Sequence, residues 1–87
     1  MTIGKAILAA LAPSCPASIP PQTVLNKLNS SGELAEKITL SAATEAMSRL
    51  VKNGWCAIDV DYDGNERWLA TPEGKARWIL DGRPLLG

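Results

Sequence analysis

Apolar residues recur along this chain first at helical spacing and then at strand spacing. In Thr2–Leu11, Ile3, Ile7, Leu8 and Leu11 fall at i, i+4, i+5 and i+8, one face of a helix that Thr2 is suited to cap. Pro13 and Pro16 end that helix and open a loop that runs to Pro20. Pro20-Pro21 starts a second helix, because a proline in the first turn gives up an N–H that the helix does not use. Its stripe is Val24, Leu25 and Leu28, and Asn29-Ser30-Ser31-Gly32 reads as its end. Two readings stay open for residues 33–38. Leu34, Ala35 and Ile38 fit a helical turn, and Lys37-Ile38 fits a very short strand; a helical turn followed by an extended Ile38 is the expectation.

The clearest helix is predicted over 39–53, capped by Thr39 or Ser41 and closed by Asn53-Gly54. Ala43, Met47, Leu50 and Val51, with Ala46 beside them, are expected to be buried. Ser41, Glu45, Ser48, Arg49 and Lys52 take the opposite face. The period then falls to two. Cys56, Ile58 and Val60 alternate with Ala57, Asp59 and Asp61, which predicts a strand with the first set facing inward. Asp63-Gly64 supplies a hairpin turn. Glu66–Thr71 returns with Trp68 and Ala70 on one face and Arg67 and Leu69 on the other, and Trp55 and Trp68 are expected to close the core. Thr71-Pro72-Glu73 opens a last helix, which is expected to pack through Ala76, Ile79 and Leu80. Trp78 lies beside them, against the sheet or in a dimer interface. Residues 84–87 are expected to fray. The order helix, helix, helix, hairpin, helix predicts an α+β chain, and 87 residues suit a single domain over 1–87.

Composition narrows the class. Apolar residues at 46% and charged residues at 21% describe an ordered globular chain rather than a disordered one. No apolar run approaches the ~20 residues that span a bilayer. Lys5 interrupts the apolar stretch Ile3–Ala12, which reads as a helix of a cytoplasmic protein and not as a signal peptide, and no membrane partner is expected. Cys15 and Cys56 form neither a metal-ligand pattern nor a disulfide scaffold; Cys56 reads as a small buried residue and Cys15 as a loop thiol. The chain has no histidine, no cysteine beside a base and no glycine-rich phosphate loop, so the expectation is a non-enzymatic protein without a cofactor. Asp59, Asp61 and Asp63 alternate, and three acids on one strand face can hold a divalent cation. A solvated strand face explains them more simply, and no metal site is expected.

Two motifs carry a family resemblance. Arg49-Leu50-Val51-Lys52-Asn53-Gly54-Trp55 resembles the end of a recognition helix, with a leucine followed four residues later by glycine and then by an apolar strand residue. Trp68-Leu69-Ala70-Thr71-Pro72-Glu73-Gly74 resembles the exit from a wing. Together, Ile38 to Gly74 resembles the winged helix-turn-helix transcription factors of the multiple-antibiotic-resistance-regulator type. That resemblance implies three helices, a two-stranded β-hairpin wing and a C-terminal helix. It also implies a helix at 39–53 that reads the major groove of double-stranded DNA. The positions it points to are Thr39, Ser41, Ala42, Glu45, Ser48, Arg49 and Lys52. Arg49 is suited to guanine, Glu45 to cytosine, and Lys52 to phosphate. The long proline-rich loop between the first two helices departs from the pattern.

Charge complicates this reading. The formal net charge is zero. Residues 55–71 hold Asp59, Asp61, Asp63 and Glu66 against Arg67 alone, a net of −3. A wing lying on phosphates wants lysine and arginine. The expectation is a small transcription regulator, of the size of a phage or mobile-element regulator, that uses its third helix and keeps the wing tip clear, with Arg67 left to touch the DNA backbone. A homodimer would sum two weakly basic faces. The alternative is a protein–protein interaction module that docks a basic protein surface through its acidic wing, using Asp59, Asp61, Tyr62, Asp63 and Glu66.

Overall fold

The computed structural model describes residues 1–84. Its described residues form four α-helices and a two-stranded antiparallel sheet, an α+β arrangement. The order is α1 (Ile3–Leu11), a short 3-10 turn (Ala12–Ser14), α2 (Pro21–Ser30), α3 (Leu40–Lys52), β1 (Cys56–Val60), β2 (Glu66–Ala70) and α4 (Pro72–Leu80). None of these helices is long and apolar enough to cross a membrane. The expected fraying of 84–87 lies outside the described residues except at Pro84. That residue is held, because its carbonyl accepts the Trp78 indole N–H at 2.8 Å.

Three helices begin on a threonine in extended conformation whose hydroxyl accepts an N–H of the first turn. Thr2 takes the N–H of Lys5, Thr39 that of Ala42 and Thr71 that of Gly74. The cap of α3 is therefore Thr39 and not Ser41. α1 is the centre of the fold. Its residues Ala6 to Leu11 are all buried, not only the face that periodicity marks, because α2, α3, α4 and β2 all pack around it. Ala6, Ala9 and Ala10 add little bulk, which lets those neighbours approach closely. α2 contributes Val24, Leu25 and Leu28 as expected, and α3 contributes Ala43, Ala46, Met47 and Leu50.

Several expectations fail where the core stops. Val51 is exposed rather than buried, since it lies 100° around the helix from Leu50 and the core stripe is only one residue wide there. The helical turn expected within 33–38 does not form. Asn29 instead donates from Nδ2 to the Ile38 carbonyl at 3.1 Å and accepts the Ile38 N–H at 2.8 Å. One side chain thus pairs with Ile38 as a neighbouring strand would. Leu34 and Ile38 still pack against the core from this irregular segment.

The hairpin register pairs Cys56 with Ala70, Ile58 with Trp68 and Val60 with Glu66. Cys56, Trp68 and Ala70 are buried, but Ile58 and Val60 are exposed, against expectation. The core ends level with Trp68, and the strands run on past it. The Trp68 N–H and C=O pair with Ile19, whose segment joins the hairpin from the proline-rich loop. The Trp68 indole N–H is buried without a hydrogen-bond partner. The turn is longer than Asp63-Gly64 alone. The Asp61 carboxylate accepts the N–H groups of Asp63 and Asn65, and Gly64 takes φ +83°. Asp63 therefore belongs to the turn and not to the strand.

α4 packs by the face opposite to the one expected. Gly74 and Trp78 are buried, whereas Ala76, Ile79 and Leu80 face outward. The cause lies at the Gly54-Trp55 junction. Thr71 donates its N–H to the Trp55 carbonyl and its hydroxyl to the Gly54 carbonyl, which brings the start of α4 down onto that backbone. Trp55 itself is half-buried, with the Arg77 guanidinium 5.3 Å above its ring.

Candidate functional site on the third helix

α3 presents its polar side chains on one continuous face because its other face is clamped by α1 and α2. The four buried positions sit at 43, 46, 47 and 50, and Ser41, Glu45, Ser48, Arg49 and Lys52 are all exposed opposite them. Ala42 is half-buried at the border. It shares a shallow groove of about 440 Å³ with Glu45 and Arg49 on one side and, on the other, the cap residue Thr2 with Ile3 and Gly4 of α1. One flank of the polar face thus abuts the first turn of α1. The other flank carries Leu40, Thr44 and Val51.

The side chains are differently committed. Thr39 is engaged as the helix cap. The Ser48 hydroxyl donates to the Thr44 carbonyl at 3.1 Å and keeps its acceptor lone pairs. Arg49 donates to Glu45 at 3.0 Å, one turn earlier, and both side chains are roughly three-quarters exposed. Such a solvent-facing pair holds its partners by less than about 0.5 kcal/mol, so either remains free to meet another group. Lys52 stands exposed at the C-terminal end of the helix, where its ammonium also favours the helix dipole.

Arg67 is placed apart from this face. Its Nε donates to the Ser18 hydroxyl at 2.9 Å and a terminal nitrogen donates to the Ser18 carbonyl at 3.0 Å. It pins the proline-rich loop to β2. The acids of the hairpin are also not equivalent. The Asp59 carboxylate accepts the N–H of Val60, and Asp61 holds the turn, whereas the side chains of Asp63 and Glu66 are exposed and make no hydrogen bond among the described residues. Tyr62 stands fully exposed at the tip.

Thr44, next to Ser48 on the flank that carries Leu40 and Val51, is the polar position that sequence reasoning overlooked. It is exposed between Ser41 and Ser48, and its hydroxyl donates to the Leu40 carbonyl. Its spacing, three residues after Ser41 and four before Ser48, was the available signal. Among the described residues no three cysteine, aspartate or glutamate side chains gather as a metal would require. Comparison with protein-family models, with curated proteins and with solved structures finds no match.

Proposed function

We propose that this chain is a winged helix-turn-helix domain that binds double-stranded DNA, with α3 in the major groove. The observation that carries the reading is the undivided polar face of α3. Hydroxyls at Ser41, Thr44 and Ser48, a guanidinium at Arg49 and an ammonium at Lys52 lie along one exposed side of a rigid helix. Such a face meets bases and phosphates at the same time. The element order and the hairpin that follows α3 agree with this reading.

The charge map says how the face would work. The hairpin offers DNA no free cation, since Arg67 is directed to Ser18 and the remaining charges there are acids. The wing therefore stands off the backbone. Affinity comes from α3 alone, is modest for one copy, and gains from two copies on a two-fold site. Arg49 reaches a guanine edge by leaving Glu45, an exchange of one exposed partner for another.

A variant series tests this. Arg49→Ala is expected to lower affinity for the preferred site by ~1–3 kcal/mol and to relax the choice of base. Lys52→Ala is expected to weaken all sequences alike and to flatten the salt dependence. Equal affinity of both variants and the native chain for every duplex would overturn the assignment.

A further inference from the structure

The hairpin carries more apolar side chain than a solvent-facing strand needs. Alternation within β1 puts Cys56, Ile58 and Val60 on one face, and Tyr62 follows in the turn. Along that face exposure climbs from the buried Cys56 through Ile58 at 40% to Val60 at 59%, and the turn beyond carries the fully exposed Tyr62. The result is an apolar row that leaves the core and ends in an aromatic tip. Asp63 and Glu66 are exposed at its border, and Glu66 lies directly across from Val60. The one cation of this segment, Arg67, is bonded to Ser18 while lining a surface hollow with Asp59, Val60, Asp61 and Tyr62, and the segment keeps its net charge of −3.

We infer that this row is a docking surface for a basic protein segment that carries apolar side chains between its lysines or arginines. Charge selects the occupant. Nucleic acid is repelled by the same acids, and a second copy of the hairpin would bring two segments of net charge −3 together. The proposed mode is docking through side chains. Trp68 directs its backbone groups to Ile19, so Ile58 opposite it turns its own toward the outer edge of β1. At the next outward position on that edge, however, the Val60 N–H is taken by the Asp59 carboxylate at 2.8 Å. The surface stands whether or not α3 binds DNA.

Labelled peptides test it by fluorescence anisotropy, with amide shifts of the isotope-labelled protein to locate binding. One peptide alternates Lys and Leu, a second Lys and Ser, a third Glu and Leu. The Lys-Leu peptide is expected to bind and to shift amides within 58–66, while the Lys-Ser peptide binds at least about tenfold more weakly and the Glu-Leu peptide does not bind. The pairs Val60→Thr with Tyr62→Ser, and Asp63→Asn with Glu66→Gln, replace exposed side chains without side-chain hydrogen bonds. Each pair is expected to lower Lys-Leu affinity at least about tenfold while leaving the unfolding midpoint in place. No binding, equal binding of the two basic peptides, shifts centred elsewhere, or self-association of the chain through this row would overturn the proposal.

Discussion

Gly74 lies so close over Trp55 that a Cβ at that position would sit 1.8 Å from the Trp55 carbonyl oxygen. The two sequence motifs at Arg49–Trp55 and Trp68–Gly74 therefore meet in space. Thr71 holds the same carbonyl by its N–H, and the Thr71 hydroxyl holds Gly54 at 2.6 Å. Gly74→Ala must push backbone from backbone. It is expected to cost about 3 kcal/mol, since no flexible side chain can yield. Urea unfolding checks this, and a midpoint equal to that of the native chain would contradict it.

Arg67 and Ser18 join parts of the chain 49 residues apart. Arg67→Ala removes two hydrogen bonds from a charged donor at a half-buried site. It is expected to cost about 1–2 kcal/mol of stability. Its effect on DNA affinity is expected to be small, because the side chain is directed at the loop. A large loss of DNA affinity with unchanged stability would reverse that assignment.

The extent to which this arrangement was legible follows from its range. Helix starts at Thr2 and Thr71, the prolines and the strand alternation act within a turn or two, so they could be read directly, whereas the α3 start lay open between Thr39 and Ser41. So could the polar face of α3 and the i,i+4 spacing of Glu45 and Arg49. What could not be read is where the core ends. Ile58 and Val60 keep the inward phase of β1 but outrun the core, and Val51 sits just beyond it. The packing face of α4 carries little periodic mark, because Gly74 at its centre has no side chain. The bond between Asn29 and Ile38 spans nine residues and has no periodic signature.

Asn29 offers a matched pair of tests. Asn29→Ala frees both backbone groups of Ile38 and is expected to cost about 1–2 kcal/mol. Asn29→Asp keeps the acceptor for the Ile38 N–H but loses the donor to its carbonyl, so its cost is expected to fall between native and alanine. Two variants of native stability would show that water serves Ile38 equally well.

Burial pushes the Cys56 thiol up from 9.0 to about 12. The neutral thiol is the form the core accepts. Below pH 9 both folded and unfolded chains carry it neutral, and this stability is fully present. As pH rises from 9 toward 12 the unfolded thiol ionises first, and stability is expected to fall by about 1.4 kcal/mol per pH unit from this group. Cys56→Ala is expected to flatten that decline. Parallel native and variant curves over this range would contradict it.

Glu45 is paired with Arg49 on the exposed face of α3, and under the DNA-binding proposal its charge opposes phosphate there. Glu45→Gln is expected to leave stability within about 0.5 kcal/mol of native, since the pair is exposed. It is also expected to tighten DNA binding several-fold. Weaker binding would instead assign Glu45 a direct base contact.

The most direct measurement is an anisotropy titration of the purified chain with mixed-sequence DNA fragments at ~50 mM and ~200 mM salt. Binding that weakens steeply with salt, persists for a subset of fragments and is reduced by Arg49→Ala is the expected result. No binding at the lower salt, or binding indifferent to Arg49 and Lys52, would contradict a DNA-reading role for α3.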